Sequence, residues 1–101
     1  MSTAPFTDAE PITDHVHHNS WSANLELPRH AEDRELVVAQ AIEAVEFTAS
    51  DTFVNLVTHA NHGHPSTYLF GELDAVFGDD ILVGYVEECG CGGHVTRVVV
   101  K

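Results

Sequence analysis

The order of apolar patterns along the chain limits its fold more than any other feature. From Trp21 onward, four segments with strand-like patterns are interleaved with two segments whose apolar residues recur at helical spacing. The patterns predict strands at 21–27, 52–58, 81–87 and 94–100, and helices at 31–48 and 66–77. This βαβαββ order predicts an α/β domain of two layers, with both helices packed on one mixed sheet of four strands. The first two strands should be parallel, and the last two should form a C-terminal β-hairpin.

Local signals support these segments. Trp21–Leu27 alternates apolar and polar residues, which is typical of a half-buried strand, and Pro28 ends it because proline has no N–H to give a strand ladder. The nearly continuous apolar pattern of 52–58 indicates an interior strand. Val98–Val100 could form a sheet edge that pairs between chains. The order of elements also matches a thioredoxin-like core without its final helix. The direction of the third strand and the oligomeric state stay open.

Residues 21–101 form the predicted single domain, and residues 1–20 a flexible tail. The tail contains Pro5, Pro11 and several acidic residues but no apolar period. Its run His15-Val16-His17-His18 has the chemistry of a metal-ligand set, but a solvated polar tail is the more ordinary interpretation.

The charge of the chain excludes two classes of partner. Sixteen Asp and Glu residues stand against four Lys and Arg residues, which gives a formal net charge of -12 at pH 7. So few cations cannot follow a phosphate backbone or hold an anionic membrane surface, so nucleic-acid and membrane partners are excluded. An acidic excess with Lys101 as the single lysine is typical of proteins adapted to concentrated salt. We therefore expect a halophilic protein whose fold is stabilised by salt.

The sequence also predicts a cytoplasmic protein. No apolar run approaches the ~20 residues that span a bilayer. Met1–Asn19 lacks the basic and apolar regions of a secretory signal. The two cysteines, Cys89 and Cys91, would then lie in a reducing compartment, where a structural disulfide is not expected.

Two short motifs carry the candidate chemistry, and each follows a predicted strand. The first is CGCGG at Cys89–Gly93, followed directly by His94. Its glycines leave the backbone open to close approach by another molecule, or to covalent chemistry at the α-carbons. The second is HANHGH at 59–64, which supplies three histidines. Loops that follow the carboxyl ends of parallel strands commonly build sites in α/β folds.

These motifs resemble a known family. The segments WSANL at 21–25, HANHGHPSTYL at 59–69 and ECGCGGHVTR at 88–97 are similar to small acidic haloarchaeal proteins of the CGCGG family. The resemblance runs from about Trp21 to the C-terminus. It implies a ribosomally synthesised, post-translationally modified peptide (RiPP) that is matured by a radical S-adenosylmethionine (SAM) enzyme. The chain would then be a substrate and not an enzyme. The implied modified residues are those of the pentapeptide, namely Cys89, Gly90, Cys91, Gly92 and Gly93.

Two alternatives use the same cysteines. Thiolate and imidazole ligands suit zinc or another thiophilic metal. The candidate ligands are Cys89, Cys91, His94, His62, His64 and His59. The loop histidines could instead cap the start of a helix. A Cys-Gly-Cys disulfide would close a strained and labile ring, which gives a thiol-redox pair, although Glu87 and Glu88 beside it oppose thiolate formation.

Overall fold

The fold is one four-stranded sheet with its helices on one face. A computed structural model of the chain describes residues 13, 15–88 and 93–101. The strands are β1 (Trp21–Leu25), β2 (Thr52–Thr58), β3 (Ile81–Glu88) and β4 (His94–Val100), and the helices are α1 (Pro28–Ala31), α2 (Arg34–Glu46) and α3 (Phe70–Phe77). Short 3₁₀ turns occupy Ala60–His62, Pro65–Thr67 and Gly78–Asp80. The predicted α/β class, four-stranded mixed sheet and C-terminal hairpin are confirmed.

The strand directions bring several loops to one edge of the sheet. The strand order is β1-β2-β4-β3, in which β1 and β2 are parallel and β4 is antiparallel to both of its neighbours. Strand β3 therefore runs in the same direction as β1 and β2, which settles the direction that the sequence left open. The carboxyl ends of these three strands lie together with the start of β4. We call this side of the sheet the C-terminal edge.

The place of β4 corrects one sequence prediction. The prediction that Val98–Val100 forms a sheet edge is wrong, because the hairpin folds β4 between β2 and β3. Val98, for example, lies opposite Val54 on one side and Val83 on the other. Among the described strands, the edges of the sheet are β1 and β3.

The helix predicted at 31–48 is α2 in the structure, and a separate short helix, α1, precedes it. Strand β1 ends at Leu25, and Pro28 begins α1 instead of ending the strand, since the missing proline N–H is harmless at the first helical position. Asp33 then starts α2, because its backbone is extended and its side chain accepts the Leu36 N–H at 3.1 Å. The predicted second helix likewise begins as a 3₁₀ turn before α3. In the described part of the chain, every helix falls short of the length and apolar character that crossing a membrane requires.

The hydrophobic core lies between the sheet and the helices. Alternate strand residues face the helices and are fully buried, as Val54 and Leu56 of β2 are. Val37 of α2 and Leu73 of α3 complete the other side of the core. Thr58 is buried as well, whereas Thr52, Phe53, Asn55 and Val57 of β2 are only partly buried. The predicted interior strand is therefore confirmed, and the helices cover it on one face.

Packing contacts extend into the predicted tail. Residues 1–12 and 14 of this tail lie outside the described residues. The His17 N–H donates to the Phe47 carbonyl at 2.7 Å, and the His17 carbonyl accepts the Ala49 N–H at 2.9 Å. The His17 ring also stacks on Trp21, with ring centroids 3.7 Å apart. The last residues before β1 are thus held against the domain.

Candidate functional site

The predicted site lies at the C-terminal edge of the sheet. Residues 59–64 follow β2, and residues 89–93 join β3 to β4 at the same edge. Cys89, Gly90, Cys91 and Gly92 lie outside the described residues. The loop's two ends are nevertheless placed, because Glu88 and His94 are partners in the hairpin register, and His94 is also the partner of Thr58. The topology therefore brings the histidine motif and the cysteine motif to one side of the domain.

Gly93 is fitted tightly into this edge. It is buried, and a Cβ atom at this position would lie 2.5 Å from the Thr58 carbonyl oxygen and would overlap the Glu26 carboxylate. Such distances leave no room for a side chain, so glycine is required by close approach of the backbone. Glu26, His59, Ala60 and Gly93 line a small cavity of about 210 Å³ beside the loop.

Glu26 is a site residue that sequence reasoning missed. The tip Cys89–His94 contains no acidic residue of its own, yet the fold brings the Glu26 carboxylate against Gly93. Glu26 follows β1, and β1 is separated from β4 by β2. Nothing in the sequence fixes that strand order, so no local signal could have indicated this contact.

His64, Tyr85 and His94 form an aromatic cluster beside the start of β4. The Tyr85 hydroxyl and His94 Nδ1 are 2.9 Å apart, which is hydrogen-bond distance. The His64 ring centroid lies 5.2 Å from that of His94 and 4.3 Å from that of Tyr85. Two of the predicted metal ligands are thus brought together. Tyr85 joins them because it is the register partner of Thr96 on β4, two residues from His94.

The loop histidines hold the local backbone. His59 Nδ1 accepts the Asn61 N–H at 3.0 Å, and His64 Nδ1 accepts the Ser66 N–H at 3.2 Å. Each ring therefore caps a 3₁₀ turn, and the capping interpretation is confirmed for both residues. The third histidine, His62, has its Nε2 only 2.6 Å from the His30 carbonyl oxygen. Because a carbonyl only accepts, Nε2 of His62 carries the proton.

This proton arrangement bears on the predicted metal site. A neutral imidazole whose Nδ1 accepts an N–H has its proton on Nε2, whereas a metal-ligating histidine usually donates from the nitrogen that does not bind the metal. His59 and His64 would have to give up their caps to bind a metal through Nε2. Within the described residues, no group of three His, Cys, Asp or Glu side chains could hold a metal. Cys89 and Cys91 lie outside those residues, so the metal site stays a prediction.

The buried His30 anchors the histidine loop to α1. Its Nδ1 accepts the Leu27 N–H at 3.2 Å, so Nε2 carries the proton and donates to Gln40 Oε1 at 2.6 Å. Burial lowers the pKa of His30, and the neutral ring with both nitrogens satisfied is the form that the fold selects. The His30 carbonyl in turn accepts from His62. Sequence reasoning missed this residue, because its partners Gln40 and His62 are brought to it by the packing of α1 against α2 and the histidine loop.

The comparisons with known proteins concern the chain as a whole. The sequence matches, over residues 1–101, a protein family described as "Putative radical SAM target protein". The chain belongs to this family. No curated protein matches it, and no solved structure does either. The thioredoxin-like topology therefore stays an analogy in the order of elements.

Proposed function

We propose that this member of the family is the substrate of a radical SAM enzyme, and that the modification falls on the loop Cys89–Gly93. Family membership over the whole chain is the observation that carries the proposal. The fold supports it, because that loop joins β3 to β4 at the edge where the loops after β1 and β2 also lie. The chain is then acted upon and is not itself an enzyme. The predicted cytoplasmic location suits this chemistry, since cysteines stay reduced there.

The proposed bond is a thioether between a cysteine sulfur and a glycine α-carbon of the loop. The enzyme supplies one electron that cleaves SAM to methionine and a 5′-deoxyadenosyl radical. This radical removes the glycine α-hydrogen as 5′-deoxyadenosine, and the resulting carbon radical combines with the thiolate sulfur. The radical anion formed in this way loses one electron to the enzyme, which replaces the electron spent on SAM. The thiol proton goes to solvent. The protein is oxidised by two electrons and loses two hydrogen atoms per bond, while SAM is reduced.

The packing of Gly93 limits which glycines of the pentapeptide we propose to react. Gly93 is buried against Thr58 and Glu26. Its contacts support a structural role, in which it anchors the loop at the start of β4. We therefore assign the reacting α-carbons to Gly90 and Gly92, which lie next to the two thiols in the sequence.

Intact-mass measurement tests this proposal. The full chain is isolated from its native host and compared with the same chain made without the enzyme. We expect a stable loss of two hydrogen atoms per thioether, with the modified thiols resistant to alkylation after denaturation and reduction. The variants Cys89→Ser and Cys91→Ser show which sulfur forms each bond. A native mass equal to that of the plain sequence, with both thiols alkylatable, would contradict the proposal.

The metal interpretation remains the second candidate, and the approach of His64 to His94 favours it. In that case a thiophilic metal binds the cysteines together with loop histidines. Elemental analysis of the native protein separates the two candidates, because a metal is lost on denaturation whereas a thioether survives. We expect the Cys89→Ser variant to contain less metal than the native protein. An absence of metal from both the native protein and the variant would dismiss this candidate. A thiol-redox pair would instead show two hydrogens lost reversibly, with recovery on reduction.

A further inference from the structure

Strand β3 is an apolar sheet edge framed by acidic residues. Among the described residues it pairs only with β4, so no described strand covers its outer side. Residues 81–86 are Ile-Leu-Val-Gly-Tyr-Val, with Asp79-Asp80 directly before them and Glu87-Glu88 directly after. Leu82 is 57% exposed and Val86 is 43% exposed. An uncharged edge without lysine or proline is a template on which another extended segment can add as a strand.

The acidic residues oppose pairing of β3 with a second copy of the chain. In an antiparallel pair, Asp79-Asp80 of one copy would lie against Glu87-Glu88 of the other, at both ends of the contact. In a parallel pair, each acidic residue would lie against its own counterpart. Like charges placed directly opposite each other are destabilising, and the net charge of -12 on each copy adds to the repulsion. The same four carboxylates favour a partner strand that carries cations at both ends.

The backbone geometry sets the length of the contact. Pairing with β4 is regular from Ile81 to Tyr85, and a bulge interrupts it between Tyr85 and Glu87. Five residues of regular strand span roughly 16 Å. Gly84 lies in the middle of this stretch, and nothing lies within 4 Å of the position a side chain would take. The resulting depression, about 290 Å³ in volume, is lined by Leu82 and Val86 of β3 and by Val99 and Arg97 of β4, among others. It has room for an apolar side chain of a partner strand.

We propose that the outer edge of β3 docks an extended segment of the modifying enzyme, apolar in its middle and carrying Lys or Arg at both ends. This inference rests on the proposed function. Strand β3 ends at Glu88, one residue before Cys89. A strand paired along β3 therefore holds the cysteine loop at a fixed distance from the enzyme. The acidic residues at both ends of β3 then attract the cationic segment of the enzyme and repel a second copy of the chain.

A peptide experiment tests the chemistry of this edge directly. The probe is the synthetic peptide Arg-Arg-Val-Thr-Val-Thr-Arg-Arg, mixed with the full chain, and the control peptide has Asp in place of every Arg. We expect the Arg peptide alone to slow amide hydrogen exchange in residues 81–86, and we expect molar salt to abolish the effect, since screening lengths fall to about 3 Å. Equal effects of both peptides, or slowing only outside β3, would overturn the proposal.

Matched variants locate the contact. A lysine on the edge strand should block strand addition, so Leu82→Lys should weaken peptide binding about tenfold. The control is Val76→Lys on α3, where the side chain is similarly exposed at 51%. Equal binding by the two variants would contradict the proposal. The quadruple variant Asp79→Lys/Asp80→Lys/Glu87→Lys/Glu88→Lys should bind the Asp peptide instead, and failure to reverse the preference would refute the role assigned to charge.

The enzyme reaction separates this inference from the proposed function. If the native enzyme modifies Leu82→Lys as fast as Val76→Lys, the docking edge is wrong while the substrate role stands. If it modifies Val76→Lys but is much slower on Leu82→Lys, both are supported. If the wild-type chain is never modified, the proposed function fails, and with it the enzyme as the occupant of β3.

Discussion

Replacing Gly93 with alanine tests the geometry of the C-terminal edge most directly. The added Cβ would lie 2.5 Å from the Thr58 carbonyl oxygen and would overlap the Glu26 carboxylate. The Glu26 carboxylate is the far end of a flexible side chain and can rotate away from the added atom. The Thr58 carbonyl cannot move freely, because Thr58 is paired with Leu25 of β1 on one side and His94 of β4 on the other. The strain therefore falls on the sheet itself.

Overpacking of this kind typically costs about 1–3 kcal/mol of unfolding free energy. For a domain of this size, each kcal/mol lowers the melting temperature by about 4–8 °C, so Gly93→Ala should melt roughly 4–24 °C below the wild type. The matched control is Gly84→Ala, where the structure places nothing within 4 Å of the added atom. That variant should stay within about 0.5 kcal/mol of the wild type.

Thermal unfolding followed by circular dichroism, at one fixed salt concentration, measures these differences. The double variant Gly93→Ala/Glu26→Ala should regain only part of the lost stability, because the contact with Thr58 remains. If Gly93→Ala melts together with Gly84→Ala, the close approach at Gly93 is refuted. If the double variant recovers completely, the strain comes from Glu26 alone and the assignment to Thr58 is wrong.

Three further measurements follow from the structure. Asp33→Ala removes the cap of α2 and should cost about 1 kcal/mol in denaturant unfolding, whereas Glu32→Ala, an exposed neighbour, should cost less than about 0.5 kcal/mol. Burial lowers the pKa of His30 from 6.5, so the unfolded chain binds a proton at this residue more readily than the folded chain. The contribution of His30 to the free energy of unfolding is therefore complete above pH 6.5 and is lost as the pH falls below it. His30→Gln should flatten this part of the stability profile, and an unchanged slope would contradict the assignment. Melting temperatures should rise from low to molar KCl, because screening reduces repulsion among sixteen acidic residues; a flat response would refute halophilic adaptation.

Much of the fold could be predicted from local patterns, because each pattern reports the burial of one segment. The alternation in β1 and the helical spacing of the two helical segments depend only on nearby residues. The order of the strands does not. The prediction that Val98–Val100 forms an edge failed because the hairpin could add to β2 through either of its strands, and nothing local to those valines decides between them. Pro28 was misassigned for a similar reason, since proline both ends strands and begins helices.

The candidate site shows the same division. The CGCGG motif and the loop histidines were evident in the sequence because their composition is unusual. Glu26 was not, because its contact with Gly93 joins segments that are distant in the sequence. Tyr85 is only nine residues from His94 in the predicted hairpin, but its contact with that histidine depends on the strand register, which local patterns do not fix. Capping by His59 and His64 was one of two interpretations that the sequence allowed, and metal binding was the other. Only the hydrogen bonds of Nδ1 decided in favour of capping.

The position of the loop bears on what the proposed modification achieves. The loop leaves β3 at Glu88 and enters β4 beside the anchored Gly93, so both of its ends are held by the sheet. A crosslink between neighbouring residues of such a loop removes little chain entropy: for a ring of about three residues the loss is worth roughly 1–2 kcal/mol, against about 3 kcal/mol for a fifteen-residue loop. Added stability is therefore a poor reason for the reaction. What a thioether changes is the chemistry of the tip, because it removes a thiol and stiffens a glycine-rich backbone. A folded scaffold is useful for such a reaction, since it fixes both ends of the reacting loop while the rest of the chain stays unaltered.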